Sequence, residues 1–250
     1  MRALFPLLFA SACAGPERPD EQVGYRDGSD GTQSGERGSV KITEILWSGS
    51  VRSDGTWDPT DVFVELRNES ARPLVLDGWR LVLQGDAPTG WRLPDGLPPL
   101  GVGQQMFVAA KSSGCFPTPD AVVPDLAFPQ GARWSLTLQD PDERLMETAG
   151  DRNLEPFVGG YDLKRSRSME RISLMFGGDG NRSPSWHYHV GAPCPAAVIG
   201  QDPANAGLTC FESVPNNTNV APDCRGWTLA SPGLANSADY SGAYASGSFE

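Results

Sequence analysis

Histidine is almost missing: the 250 residues hold two, His187 and His189, both in Trp186-His-Tyr-His189. Any histidine chemistry is confined to that stretch. No GxSxG turn occurs, which excludes the usual serine nucleophile elbow. No CxxC pair occurs, which removes the commonest structural zinc signature. The densest basic run is Lys164-Arg-Ser-Arg167, and the net charge is −11. Phosphate contacts need clustered Lys and Arg, so nucleic acid is excluded as a partner. No apolar run is long enough to span a bilayer as a helix. Amphipathic segments of helix length with caps are lacking, and so are internal repeats. Turn formers, in contrast, are abundant, with 29 Gly and 22 Pro. Aromatic and β-branched residues run throughout, so the chain as a whole is not disordered.

The N-terminus has the layout of an export signal: Met1-Arg2, an apolar stretch Ala3–Ala12, then Cys13. Ala10-Ser-Ala-Cys13 resembles the bacterial lipobox, with Ala10 where Leu is usual. The resemblance implies a signal peptide over 1–12 and lipid attachment at Cys13. Ala14 stands where Asp often retains such proteins in the inner membrane. The expected location is therefore the outer membrane or cell surface, with the membrane itself as a partner through the lipid. Residues 13–38 are polar and Gly-rich and read as a flexible linker. Asp27-Gly-Ser-Asp-Gly31 echoes a calcium loop but lacks the closing ligands.

Five Cys is an odd number for an exported chain. With Cys13 lipidated, Cys115, Cys194, Cys210 and Cys224 remain. They allow two disulfides in three connectivities, and at least one bond is expected to staple the C-terminal third.

From Val40 onward, short apolar segments alternate with Gly, Pro, Asp and Asn clusters, the pattern of an all-β sandwich or barrel. Strands are predicted at 40–47, 61–67, 79–84, 104–110, 133–139, 143–148 and 169–175. Turns fall at Ser53-Asp-Gly55, Asp77-Gly78, Pro94-Asp-Gly96 and Gly177-Gly-Asp-Gly180. Strict alternation places Val40, Ile42, Glu44 and Leu46 on one face of the first strand. In the second, Val62, Val64 and Leu66 share a face, with Phe63 and Glu65 opposite. Each glutamate thus stands among apolar neighbours and needs N–H donors, a cation or water. Arg67, Arg80 and Arg171 are candidate partners.

Several stretches together resemble the lamin tail domain family. They are VKITEILWSG, DVFVELRNESARPLVLDGWRLVL and WRLPDGLPPLGVGQQMFVAA over 40–110, then Ser168-Met-Glu-Arg171, and finally Ser231-Pro-Gly-Leu-Ala-Asn236. Trp186 or Trp227 takes the place of the family's late Trp. The resemblance implies an immunoglobulin-like β-sandwich over 39–236 and a tail over 237–250. Residues 187–228 depart from the family as a loop-rich, disulfide-stapled insertion. Glu44, Glu65, Asn68, Trp79, Glu170, Arg171, Gly233 and Asn236 fall on the family's motif positions, where structural roles are implied. Trp79 is large enough to fill the space between two sheets, and Asn68 starts a turn. Glu65 and Arg171 are expected to pair at one end of the sandwich.

The same residues allow catalytic alternatives. Glu44 and Glu65 form a conceivable acid–base pair of the glycosidase kind. His187 and His189 point the same way in a strand and suit a metal, with Asp179 or Asp202 as a further ligand. Trp47, Trp57, Trp91 and Trp134 are candidates for a sugar- or protein-binding face. The motif positions account for both glutamates without chemistry, so the expectation is a non-catalytic envelope lipoprotein without cofactor or bound metal. It would bind or scaffold an envelope protein, a glycan or a wall polymer. A metal-dependent hydrolase built on His187, His189 and a carboxylate is the alternative.

Overall fold

The computed structural model describes residues 36–172, 179–190, 192–193, 211–212 and 218–237. Cys13, Cys194, Cys210 and Asp202 lie outside them. The strands in chain order are β1 (Val40–Leu46), β2 (Ser50–Val51), β3 (Trp57–Asp58), β4 (Phe63–Asn68), β5 (Arg80–Gly85), β6 (Thr89–Arg92), β7 (Gln105–Ala109), β8 (Ala121–Val122) and β9 (Trp134–Gln139). They continue as β10 (Leu145–Gly150), β11 (Gly160–Tyr161), β12 (Ser166–Arg167), β13 (Met169–Arg171), β14 (Trp186–Tyr188), β15 (Ala192–Pro193), β16 (Phe211–Glu212) and β17 (Thr228–Leu229). Among the described residues there is no α-helix, and none long and apolar enough to cross a membrane.

Two sheets face each other, the all-β, immunoglobulin-like sandwich expected. One has the order β14-β13-β1-β4-β7-β8 and the other β10-β9-β5-β6. Pairing is antiparallel except at β7–β8. The seven predicted strands all form, displaced by at most two residues up to Arg171. Val40, Ile42, Val64, Leu66 and Val108 of the first sheet meet Leu81, Leu83, Trp134, Leu136 and Leu138 of the second, with Trp79 fully buried between them. Burying such side chains stabilises by about 1.5–3 kcal/mol each, before chain entropy is counted. Trp91 and Trp134 also belong to this core, which removes them from the set of surface aromatics.

One irregularity decides where the acidic residues go. The register between β1 and β4 shifts between Ile42 and Glu44. That β-bulge puts two residues on one strand opposite one on its partner and breaks the side-chain alternation. Val40, Ile42 and Ile45 therefore all face the sandwich core, whereas Leu46 joins a second cluster. The strict alternation expected for β1 ends at Thr43.

The second cluster lies on the outer face of the six-stranded sheet. Leu46, Phe63 and Phe107 pack there with Phe116, Val220 and Ala230. Phe63 meets Phe107 and Phe116 edge-on, at 5.9 and 4.8 Å between ring centres. A disulfide, Cys115–Cys224, crosses this layer and spans 109 residues of sequence. Residues 218–237 thus form a cover over the sheet, stapled to the segment that follows β7. β17 of the cover pairs in parallel with β12.

Candidate functional site

Beneath the cover runs a row of acidic side chains. Glu44 is paired across the sheet with Glu170 on one side and with Glu65 on the other. The row continues to His187, opposite Glu170, and to Phe107, opposite Glu65. All three glutamates and both histidines are fully buried. Like charges directly opposite each other in a sheet destabilise it, so the row requires protons or close partners.

The cover supplies the partners. Its closing segment, Ser231 to Ser237, lies along the row. The Ser231 amide donates to Glu44 Oε1 at 2.9 Å, and Ser168 Oγ donates to the same oxygen at 2.5 Å. The Gly233 amide donates to Glu65 Oε2 at 2.7 Å, while Thr43 Oγ1 and Gln105 Nε2 donate to Oε1 at 2.7 and 2.8 Å. The Ser237 amide and hydroxyl both donate to Glu170. Asn236 Nδ2 donates to the carbonyls of Thr43 and Arg171, at 3.0 and 2.8 Å, so it caps the bulge itself.

Proton placement follows from one hydroxyl. Ser231 Oγ lies 2.6 Å from Glu170 Oε1 and 3.1 Å from Glu44 Oε2. It has a single hydrogen, so one contact requires a protonated carboxyl. Burial, reinforced by the carboxylates of Glu170 and Glu65, pushes Glu44 up to about 8. Burial also pushes Glu65 up to about 8, against the hydrogen bonds from Thr43, Gly233 and Gln105. Glu170 moves the opposite way: burial works to raise it, but His189, its hydrogen bond and His187 bring it down to about 2. His189 Nδ1 sits 2.7 Å from Glu170 Oε1, and the pairing raises its pKa although burial opposes the charge. Glu170 and His189 therefore form an ion pair at neutral pH, with Glu44 protonated and donating to Ser231.

Glu44, Glu170 and His189 also place ligand atoms within 4.8 Å of one another. His189 Nε2 meets no hydrogen-bond partner among the described residues. The carboxylate oxygens a cation would use are already occupied by Ser168, Ser231 and Ser237. Asp179 belongs elsewhere, 3.8 Å from Arg182 in an exposed pair.

The sequence-predicted positions thus divide. Glu44, Glu65, Glu170, Gly233 and Asn236 converge on one place, with His187 and His189 beside them. Asn68 lies apart, donating to Arg72 and Leu100 carbonyls at 2.7 and 2.8 Å and accepting from Ser70. The expected Glu65–Arg171 pair does not form. Arg171 leaves the sheet on the other side, 3.5 Å from Glu147 and 5.1 Å from the Trp186 ring centre. Side chains of consecutive strand residues point to opposite faces, so Arg171 cannot share the face of Glu170. Arg67 pairs with Glu69, and Arg80 with Glu143. Thr43, Gln105 and Ser237 are not singled out by the sequence, because single hydroxyls and amides carry no pattern of their own; Ser168 and Ser231 stand there only as the first residues of their motifs, with no role assigned.

No protein-family model matches the chain, and no curated protein matches it. Among solved structures, a DUF4876 family protein from Bacteroides thetaiotaomicron VPI-5482 is similar at 16% identity, over 42% of this chain and 43% of that one, with a TM-score of 0.31. The match spans less than half of either chain, and a likeness of that size carries no argument about this molecule.

Proposed function

We propose that this chain is a non-catalytic, lamin-tail-like module, exported and anchored by lipid on Cys13, that binds or scaffolds a macromolecule of the cell envelope. The observation that carries this reading is the closure of the acidic row. A general acid, base or metal ligand must meet substrate. Glu44, Glu65 and Glu170 are fully buried, and among the described residues their hydrogen bonds go to Thr43, Gln105, Ser168, His189 and the segment 231–237. The lamin-tail reading is supported by the convergence of five motif positions, far apart in sequence, on one structural task. That task is fastening the last segment over the sheet.

The test is capture from envelope extract with the full-length protein, with labelled lipid incorporation measured in parallel. The expected result is a retained protein, glycan or wall-polymer partner, and loss of label in Cys13→Ser. A mature N-terminus that is unmodified and distant from Cys13 would refute the anchor.

The metal-dependent hydrolase remains the second reading, favoured by the proximity of Glu44, Glu170 and His189. Metal analysis of the purified protein separates the two. Stoichiometric zinc that disappears in the His187→Ala/His189→Ala variant would sink the non-catalytic view.

A further inference from the structure

We propose that a cleft between Trp47, Tyr161 and Tyr188 binds a pyranose unit of a glycan; this rests on the binding-module reading and gives its ligand class.

The cleft encloses about 390 Å³ and is lined by Trp47, Gly159, Gly160, Tyr161, Asp162, Arg167 and Tyr188. Ligand sites start at about 300 Å³ and combine apolar walls with a few placed polar groups. Three elements meet here: the end of β1, the β11–β12 pair, and the edge strand β14. It lies beside the acidic row and meets it at the histidines: Arg167 donates to the His189 carbonyl, and the Tyr188 carbonyl lies 3.0 Å from His187 Nδ1.

Its walls are aromatic and held in place. Trp47 Nε1 donates to the Val158 carbonyl at 3.0 Å, which fixes the plane of the indole. The Arg167 guanidinium lies 5.4 Å from the Tyr188 ring centre, and its Nη1 donates to the His189 carbonyl at 3.1 Å. Tyr161 is stacked on Trp57, with 4.7 Å between ring centres and 8° between planes. Trp57 remains 37% exposed, and its Nε1 is anchored to the Ser48 carbonyl at 2.8 Å. It extends the aromatic surface beyond the cleft.

The floor carries no side chains. Gly159 has φ +80°, and a Cβ there would lie 2.7 Å from the Arg167 carbonyl oxygen. Gly160 has φ +123°, and a Cβ would lie 3.2 Å from the Trp47 ring. The glycines let the chain turn and pass close against the Trp47 ring. Asp162 sits exposed at the rim; its Oδ1 receives the amides of Lys164 and Arg165, while Oδ2 accepts no bond among the described residues.

A pyranose fits this combination. Its C–H face lies flat on an aromatic ring, and its hydroxyls both donate and accept at the rim. Rings with a polar edge offer contact area at little entropic loss. A nucleic-acid base would also stack, but its phosphates would meet Asp162 and a molecule of net charge −11.

The test uses the full-length protein in detergent, titrated with the neutral oligomers cellohexaose, N-acetylglucosamine hexamer and mannohexaose. Tryptophan fluorescence and saturation-transfer NMR provide the readouts. The expected result is saturable binding of at least one oligomer, weakened at least about tenfold in Trp57→Ala and in Tyr188→Ala. Asp162→Asn, an exposed and isosteric change, is expected to weaken the same sugar and covers the case in which Tyr188→Ala fails to fold. Val102→Ala, exposed and remote, is expected to bind as the parent does. Binding of none of the three oligomers, or binding indifferent to both Trp57→Ala and Asp162→Asn, would overturn the site. That result leaves the envelope capture experiment intact. Recovery of a shortened oligomer would support the site but overturn the non-catalytic reading.

Discussion

Glu170 carries the only carboxylate of the row that stays charged at neutral pH, and His189 answers it. Removing one member of a buried pair leaves the other uncompensated, a loss of about 3–5 kcal/mol. Glu170→Gln is therefore expected to lower the urea midpoint sharply, whereas Glu69→Gln on the surface is expected to change it by under about 1 kcal/mol. The coupling of Glu170 to His189 is measured by combining Glu170→Gln with His189→Gln in a double-mutant cycle. The other two carboxyls set the pH response. Glu44 and Glu65 are raised from an ordinary 4.5 to about 8. The folded state then holds more protons than the unfolded state between those values, so stability falls as pH rises from 4.5 through 8. His189, also raised, contributes in the same direction above 6.5. Glu170, lowered to about 2, contributes stability that is lost as pH falls from 4.5 toward 2. Calorimetry should find greatest stability near pH 4–5 and a melting temperature roughly 5–15 °C lower by pH 9. Glu44→Gln and Glu65→Gln keep a neutral side chain and are expected to flatten that decline.

At the scale of elements, the closing segment and the bulge fit each other. Gly233 has φ +73°, and a Cβ there would lie 2.5 Å from Asn219 Nδ2. Gly233→Ala is expected to destabilise by about 1–3 kcal/mol and to raise hydrogen exchange at 231–237 before it does so in β4 or β7. This part of the molecule was only half legible in the sequence. The strands were readable because each carries a period of two bounded by Gly, Pro or Asp. The glutamates stood out because they interrupt that period. What the period cannot express is a bulge. Thr43 adds one residue to β1, and everything after it changes sides, so Glu44 faces the cover and Ile45 the core. The Glu65–Arg171 pairing failed for a related reason, since the preceding Glu170 takes the face that Arg171 would need. The aromatic cleft was legible only in Trp47 and Trp57. Tyr161 and Tyr188 join them through pairings of strands two or three residues long, which leave no periodic trace.

For the whole molecule, covalent connectivity yields a thiol count. Cys115 and Cys224 are bonded, leaving Cys194 and Cys210 as the remaining pair if Cys13 carries lipid. The mature protein is expected to take up no alkylating reagent when denatured without reductant, and four equivalents after reduction. Two free thiols before reduction would overturn the second bridge. Loss of the Cys115–Cys224 link, which closes a loop of about 110 residues, is expected to destabilise by about 4–5 kcal/mol. With the link reduced the two sheets could still assemble, but the outer layer would be held only by its hydrogen bonds and by the packing of Val220 and Ala230 against the sheet. Only under oxidising conditions is it clasped shut, so the redox state of the surroundings decides how firmly the outer layer is held.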